Sequence, residues 1–301
     1  MTYLYYPGCS LTGTAQEYDI ATRAALSALD VELTELADWV CCGASAAEAT
    51  SQLLSLALPA VNLAIARRTH PGRDLLVPCS ACYLNLKKAA EKIPKDEALK
   101  ERISAVLAVD DLRLDGPVRV RHLLDVLVRD IGPAAVADRV VRPLSGMTIA
   151  PYYGCQCIRP YVEFDDPEAP RSMEGLIAAT GATIHEWDMG GRCCGAAHIN
   201  TKMDVGLTLV EAILRQARGA TAVVTVCPMC QMNLEAYQKA VSARAGQDLR
   251  VTVLYLPQLL GLAMGLTEAE LGIDKNLAVT PAFRTAPAAA PKPRLDAAAA
   301  G

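Results

Sequence analysis

Cysteine is the residue whose number and spacing in this sequence most directly indicate chemistry. The chain contains 11 cysteines, at Cys9, Cys41, Cys42, Cys79, Cys82, Cys155, Cys157, Cys193, Cys194, Cys227 and Cys230. Dense cysteines form disulfides in secreted proteins, whereas in a reducing compartment they are typical of metal binding or redox chemistry. Their number is odd, and the N-terminal residues lack the charged and apolar regions of a signal peptide. We therefore predict free thiols that bind a metal or carry electrons.

Ten of these cysteines form two sets with the same order and similar spacing. Each set contains a single cysteine, a Cys-Cys-Gly motif and a Cys-x-x-Cys motif. The first set is Cys9, Cys41, Cys42, Cys79 and Cys82, and the second set is Cys155, Cys193, Cys194, Cys227 and Cys230. Corresponding members lie 146, 152 or 148 positions apart, and an Asn-Leu pair begins three residues after each closing cysteine, at Asn85 and Asn233. The chain is therefore interpreted as a tandem duplication.

Strands and helices are predicted to alternate through both halves. We predict strands at residues 2–6, 31–36, 74–77, 148–153, 182–187 and 222–226, and helices at 16–29, 46–68 and 204–217, the second of these with a kink at Pro59. This alternation indicates parallel sheets with right-handed crossovers. Loops that follow parallel strands meet at one edge of a sheet. Each set of five cysteines is thus predicted to converge at such an edge.

Five thiolates in each set exceed the number that one metal ion needs. A tetrahedral zinc takes four ligands, whereas the irons of an iron–sulfur cluster are held by several cysteine sulfurs. Adjacent cysteines could bind two metal atoms of one cluster, and the following glycine permits a tight turn. The spacing favours an iron–sulfur cluster in each set. Zinc and metal-free thiols are the alternatives.

The repeated pattern resembles the cysteine-rich CCG domain, and two tandem copies resemble the B-type subunit of heterodisulfide reductase. The resemblance covers residues 1–262 and rests on the ten repeated cysteines. It implies an α/β fold of two tandem, pseudo-symmetric Rossmann-like units, each a small parallel sheet flanked by helices. It also implies that each set of five cysteines ligates one noncubane 4Fe–4S cluster.

The resemblance further implies a role for the duplication. In the family, the disulfide substrate binds between the two clusters, and each sulfur is reduced at its own cluster by one electron. Electrons come from an iron–sulfur partner resembling the C-type subunit of heterodisulfide reductase, and through it from a flavin partner resembling the A-type subunit. The sequence lacks the Cys-x-x-Cys-x-x-Cys-x-x-x-Cys-Pro run of ferredoxin modules. The partner is therefore predicted to be a separate chain.

Other CCG-containing proteins leave further functions open. One alternative is a non-catalytic electron-relay subunit of a lactate-, glycolate- or succinate-type dehydrogenase complex. Another is a bacterial sulfur-oxidation complex that acts on lipoyl-bound sulfur. A zinc-stabilised interaction module is disfavoured by the excess of thiolate ligands. Two complete cysteine sets favour the catalytic subunit, an oxidoreductase that acts on a disulfide or thiol.

The charge and hydropathy of the sequence indicate which classes of partner and which cellular location to expect. The formal net charge is −4, from 29 basic and 33 acidic side chains, which argues against nucleic acid as a partner. The longest apolar stretch, residues 53–66, is interrupted by polar residues and a proline, so no membrane span is predicted and a cytoplasmic location is expected. We predict a first repeat with a connecting segment at 1–145, a second repeat at 146–277 and a disordered Ala- and Pro-rich tail at 278–301.

Three residues near the second set are candidates for direct roles. Cys157 has no counterpart in the first half, and we interpret it as a small buried residue beside the site. An alternative ligand or a sulfur carrier is the second interpretation. His198, four residues after Cys194, is the candidate proton donor, and His185 is a weaker one.

The other polar residues near the motifs have two interpretations each. Arg159 and Arg192 could bind an anionic group of a substrate, or they could be solvated at the surface. Asn85 and Asn233 could orient the cysteine loops or cap helices. The remaining two histidines are interpreted as structural, with His122 at a helix start and His70 in a surface turn.

Overall fold

Two parallel four-stranded sheets organise the chain, for which a computed structural model describes residues 1–44 and 46–286. The strands are β1 (Thr2–Tyr5), β2 (Glu32–Glu35), β3 (Leu75–Val77), β4 (Val120–His122), β5 (Thr148–Tyr152), β6 (Thr183–Ile184), β7 (Ala222–Thr225) and β8 (Thr252–Tyr255). The first sheet has the order β2-β1-β3-β4, and the second has the order β6-β5-β7-β8. This equal order confirms the predicted α/β fold of two tandem units.

The strand register is also repeated between the halves. Leu4 pairs with Leu75 where β1 meets β3, and Ala150 pairs with Val223 where β5 meets β7. Leu4 and Ala150 lie 146 positions apart, and Leu75 and Val223 lie 148 positions apart. The first cysteines and the Cys-x-x-Cys motifs of the two sets are separated by the same offsets. The duplication therefore preserves the positions of the first cysteine and of the Cys-x-x-Cys motif relative to the strands that precede them.

Helices connect the strands in both halves. In the first half they are α1 (Gly8–Thr12), α2 (Gln16–Ala28), α3 (Ala46–Thr50), α4 (Gln52–Thr69), α5 (Ser80–Lys92), α6 (Glu97–Leu107), α7 (Leu123–Val126) and α8 (Gly132–Asp138). In the second half they are α9 (Ser172–Ala179), α10 (Met203–Gln216), α11 (Pro228–Ala236), α12 (Gln238–Ala245), α13 (Leu256–Ala263) and α14 (Pro281–Thr285). Short 3-10 turns cover Ile93–Lys95, Ala108–Asp110 and Ile273–Lys275, and a π turn covers Leu127–Ile131.

Two predicted elements differ from the structure. The single helix expected over residues 46–68 is divided at Ser51, whose hydroxyl accepts a hydrogen bond from the Leu54 amide and so caps α4. Pro59 lies inside α4 rather than at the break. The strand expected at 182–187 contains only β6, because Trp187 turns back and donates its indole N–H to the Pro151 carbonyl.

The two halves share one buried interface around Tyr18 of α2. Apolar side chains from both halves form a continuous core, and the ring of Tyr18 stacks on that of Tyr255 at 3.9 Å between centroids. The Tyr18 hydroxyl lies 3.1 Å from the Pro78 carbonyl and 3.2 Å from the Val226 carbonyl. Pro78 and Val226 immediately precede Cys79 and Cys227, so one side chain links corresponding points of the two cysteine sets.

Removing the Tyr18 hydroxyl is expected to destabilise the fold. In Tyr18→Phe the two buried carbonyls lose a donor, which lowers the free energy of unfolding by about 1–3 kcal/mol. Chemical denaturation of the metal-free chain measures this change. Tyr255→Phe is the matched control, because the Tyr255 hydroxyl is buried without a hydrogen-bond partner among the described residues. An equal loss in both variants would contradict the linking role of Tyr18.

The segment expected to be a tail begins with ordered structure. Thr280 caps α14, and Phe283 of that helix is buried against the core. The Thr280 amide also donates to the Thr252 hydroxyl of β8. An aromatic anchor and a helix cap thus hold this stretch, and residues 287–301 lie outside the described part of the chain.

Among residues 1–44 and 46–286, no helix has the length and apolar character needed to cross a bilayer.

Candidate metal centres

The first cysteine set lies at the carboxyl edge of the first sheet. Cys9 is in α1 directly after β1, Cys79 is the residue before α5, and Cys82 is in its first turn. The loop after β2 supplies Cys41 and Cys42. The Sγ atoms of Cys9 and Cys41 are 3.7 Å apart, and those of Cys42 and Cys82 are 3.3 Å apart. The structure therefore brings these two pairs of distant cysteines together.

The second cysteine set has the same arrangement at the second sheet. All of its members line one cavity of about 50 Å³; they are Cys155, Cys193, Cys194, Cys227 and Cys230. The Sγ atoms of Cys194 and Cys230 are 3.6 Å apart. Cys193 is exposed, as are Cys9 and Cys41 of the first set, whereas both Cys-x-x-Cys pairs are buried. Each set therefore has a buried side within the fold and an edge open to solvent.

Glycines make room for the sulfur atoms in both sets. Gly8 and Gly154 precede the first cysteine of each set and both have φ +70°. A Cβ atom at these positions would lie 2.9 Å from the Sγ of Cys82 and of Cys230, respectively. Both the left-handed backbone and the close sulfur require glycine here.

Matching side chains also hold the two Cys-Cys-Gly loops. Asn85 donates to the Cys42 carbonyl at 3.1 Å, and Asn233 donates to the Cys194 carbonyl at 2.7 Å. Of the two roles considered for these asparagines, the contacts support orientation of the cysteine loops. The loops also receive amide hydrogen bonds at sulfur, from Gly43 to Cys41 and from Gly195 to Cys193.

Tyr6 and Tyr152 are positioning residues that the sequence reasoning did not identify. Tyr6 donates to the Val40 carbonyl at 2.8 Å, and Tyr152 donates to the Arg192 carbonyl at 2.7 Å. Each acceptor is the residue before a Cys-Cys pair. The sequence contains one signal for them: each tyrosine lies three residues before the first cysteine of its set.

Loss of an asparagine amide is expected to loosen its cysteine loop. Asn233→Ala leaves the buried Cys194 carbonyl without its donor, which lowers the free energy of unfolding by about 1–3 kcal/mol. Asn85→Ala is expected to cost less, because Asn85 is only half-buried. Denaturation of the metal-free variants measures both effects. Asn200→Ala, at an exposed asparagine of the second unit, is the control. A similar loss in that control would show that the effect is not specific to the loop.

The thiols within each set have different pKa values, because they are hydrogen-bonded to one another. Hydrogen bonds from Cys41 and Cys82 lower the pKa of Cys42, and the same bonds raise the pKa of Cys41 and Cys82. In the second set, a hydrogen bond from Cys155 lowers the pKa of Cys193, and the pKa of Cys155 rises. Closely packed thiols thus share protons, and bound metal cations would displace them.

The other candidates near the second set have different surroundings. His198 is exposed, and its charge contributes, after the Cys155 hydrogen bond and the Gly195 amide, to the low pKa of Cys193. The His185 ring instead contacts the Gln216 carbonyl, at 2.7 Å from Nε2. Cys157 is buried and its thiol donates to the Tyr153 carbonyl at 3.2 Å. Proximity thus favours His198 over His185 as the candidate proton donor.

Local contacts account for Arg159 and the two remaining histidines, whereas Arg192 is at the surface. Arg159 holds a loop through the carbonyls of Pro167 and Gly191, and Arg192 is exposed. His122 precedes α7 and accepts from the Leu124 amide, as a helix cap. His70 ends α4 beside the Thr69 hydroxyl.

The geometry of the thiols indicates which kind of metal group they suit. Across the described ranges, 1–44 and 46–286, no three His, Cys, Asp or Glu side chains are grouped as ligands of one metal ion. Neighbouring thiols follow one another in rows, such as Cys41–Cys42–Cys82 in the first set and Cys194–Cys230–Cys227 in the second. A tetrahedral zinc draws four ligands to one point, whereas a cluster of several irons takes thiolates on different metal atoms. The donor set therefore fits an iron–sulfur cluster better than a single zinc.

Fold and sites together define a duplicated parallel α/β protein with a cysteine-rich centre in each half. The family model for CCG, the cysteine-rich domain, matches residues 3–87 and 149–235. The chain belongs to this family and carries two tandem copies of its domain.

Sequence similarity to two relatives extends over nearly the whole chain. The chain is 33% identical to the 8-methylmenaquinol:fumarate reductase membrane anchor subunit of Wolinella succinogenes, over 91% of this chain and 96% of that protein. It is 30% identical to the B-type subunit of the ferredoxin/F(420)H(2)-dependent CoB-CoM heterodisulfide reductase of Methanosarcina acetivorans, over 90% of this chain and 92% of that protein.

A solved structure supports the fold alone. A hypothetical protein from Helicobacter pylori superposes on this chain with a TM-score of 0.73 at 16% sequence identity. The match covers 93% of this chain and 52% of that protein, so the chain spans about half of its length.

Proposed function

We propose that this chain is an iron–sulfur subunit of a multi-subunit oxidoreductase and that it cleaves or forms a disulfide. Each cysteine set would hold one cluster of the noncubane 4Fe–4S type, with the ten repeated cysteines as ligands. When bound, these clusters would supply single electrons to the two sulfurs of an S–S bond. The family membership and the similarity to the B-type subunit of a heterodisulfide reductase support this proposal.

The observation that carries the proposal is the close approach of the two cysteine sets. The Tyr18 hydroxyl is within 3.2 Å of both the Pro78 and the Val226 carbonyl. Those carbonyls directly precede Cys79 and Cys227, so the two centres lie on either side of one side chain. Cleaving a disulfide to two thiolates takes two electrons, one for each sulfur, and two adjacent one-electron centres match that requirement.

The protein side chains would orient and protonate the substrate. His198 is exposed beside Cys193 and is the proposed donor of a proton to a leaving thiolate. Electrons would enter from a separate iron–sulfur partner resembling the C-type subunit of heterodisulfide reductase, itself supplied by a flavin partner resembling the A-type subunit.

A relay function is the second candidate, because one relative has a different named activity. The Wolinella succinogenes protein is a subunit of a quinol:fumarate reductase, and its identity to this chain is 33%. In that case the two centres would pass electrons between partner subunits without contacting a disulfide.

Metal analysis of the anaerobically purified chain tests the proposal first. About eight irons and a matching amount of acid-labile sulfide per chain are expected, about four irons for each set. Zinc without sulfide would contradict any redox function. The loaded chain is then given a reduced viologen dye and a mixed disulfide of small thiols. Release of free thiols supports catalysis, whereas cluster oxidation only by a quinone-linked partner supports the relay.

A further inference from the structure

Ser80 connects the first half of the chain to the metal centre of the second half. Ser80 lies between Cys79 and Cys82 of the first set, yet it lines the cavity that the second set encloses. The side chain is buried, and its hydroxyl lies 3.1 Å from the Val226 carbonyl, next to Cys227. The first half thus places a hydroxyl group beside the second centre.

The direction of the Ser80 hydrogen bonds is fixed by His122. The Nδ1 atom of His122 accepts from the Leu124 amide at 3.1 Å. Burial lowers the pKa of His122 to about 3, so the ring is neutral and its proton is on Nε2. Nε2, 3.2 Å from Ser80 Oγ, therefore donates to that oxygen. The Ser80 proton then points away from His122, toward the second cysteine set.

The Val226 carbonyl does not depend on Ser80 alone. Tyr18 also contacts that carbonyl, at 3.2 Å. Ser80 can therefore turn its proton to the Cys227 sulfur while the Val226 carbonyl keeps Tyr18 as a donor. A hydrogen bond to a charged thiolate is roughly twice as strong as one to a neutral carbonyl. The Ser80 hydroxyl is within hydrogen-bond reach of the Cys227 thiol, and of the Cys157 thiol as well.

The position equivalent to Ser80 in the second half carries no hydroxyl group. The residue 148 positions after Ser80 is Pro228, which has neither a hydroxyl nor an amide hydrogen. The duplication is therefore asymmetric at this point, although the cysteines themselves are matched.

We infer that Ser80 raises the reduction potential of the cluster in the second cysteine set and leaves that of the first set unchanged. Hydrogen bonds to cluster sulfurs stabilise the more negative, reduced form, and they are one of the means by which proteins set these potentials. The inference rests on the proposed function, because both sets must hold clusters. It implies that the two sulfurs of a disulfide would meet centres of different potential.

Single-centre variants allow each potential to be measured separately. Cys42→Ala is designed to retain only the second centre, and Cys194→Ala only the first. Ser80→Ala is added to each, and the fraction reduced is followed against potential by absorbance and electron paramagnetic resonance. In the Cys42→Ala chain we expect the potential to fall by about 59 mV, a tenfold change in a one-electron equilibrium constant. In the Cys194→Ala chain we expect no change.

Three further variants separate the hydroxyl group from general damage. Ser55→Ala removes another buried serine hydroxyl, one bonded within α4, and should change neither potential. Ser80→Thr keeps the hydroxyl and should keep the potential. If Ser80→Ala fails to assemble the second centre, Tyr18→Phe takes its place. In that variant Tyr18 no longer donates to the Val226 carbonyl, so the Ser80 proton stays on that carbonyl and not on the sulfur. A lower reduction potential of the second centre supports the inference, and an unchanged potential contradicts it.

The outcomes distinguish this inference from the proposed function. A parent chain that binds no iron would overturn both. A parent chain with two centres, in which Ser80→Ala leaves the second potential unchanged or lowers only the first, would overturn the inference alone.

Discussion

Cys194→Ala is expected to remove about half of the bound iron from the chain. Cys194 is buried, with its sulfur 3.6 Å from that of Cys230, and its carbonyl is held by Asn233. The substitution deletes one proposed ligand and leaves that backbone contact intact. Because the two sets lie on separate sheets, iron should fall from about eight to about four per chain, the amount of one cluster. Iron and acid-labile sulfide assays on the purified variant measure the loss.

Cys157→Ala is the matched control for this experiment. Cys157 is also a buried cysteine of the second unit, but its thiol donates to the Tyr153 carbonyl instead of contacting another cysteine at close range. We expect this variant to keep all of its iron. Iron loss in Cys157→Ala would make Cys157 a ligand, and full retention in Cys194→Ala would contradict the assignment of the ten cysteines.

The corresponding change in the first set tests the symmetry of the molecule. Cys42 is buried with its sulfur 3.3 Å from that of Cys82, as Cys194 is beside Cys230. Cys42→Ala should therefore remove the other half of the iron, and the double variant should remove all of it. Complete iron loss in either single variant would mean that the two centres assemble as one unit.

The parts of this structure that the sequence predicts are those with local causes. Apolar stretches before glycine and cysteine predict β1, β3, β5 and β7, and the repeated spacing predicts that each cysteine set meets at a sheet edge. The cap at Ser51 was also visible in principle, because serine followed by an apolar run is a helix-start pattern. The prediction of one helix with a kink at Pro59 did not include the break that Ser51 introduces.

The contacts between the halves could not be predicted in this way. The role of Tyr18 depends on Val226, which is 208 positions away, and that of Ser80 depends on the same carbonyl. Tyr18 belongs to no motif, and Ser80 occupies a variable position of its Cys-x-x-Cys motif, so neither residue type is a signal by itself. Their function arises only when α2 packs against α13 and the two sheets come together. A duplicated sequence indicates two similar centres, but it does not show how one centre influences the other.

Gly154→Ala is expected to abolish the second centre while leaving the fold in place. Gly154 has φ +70°, and an added Cβ would lie 2.9 Å from the sulfur of Cys230. The chain would bear backbone strain of about 1–2 kcal/mol, and it would also have to displace a proposed ligand. Iron should fall to about four per chain, as for loss of one cluster, with the first centre unchanged in absorbance.

Gly246→Ala separates the two contributions to that result. Gly246 ends α12 with φ +66°, so the backbone strain is similar, but no atom lies within 4 Å of its added Cβ. We expect this variant to lose stability in denaturation while it keeps both centres. If Gly246→Ala also lost iron, strain alone would account for the effect of Gly154→Ala. If neither variant lost iron, displacing the Cys230 sulfur would have no effect on the second centre. Cys230 would then not be assigned as a ligand.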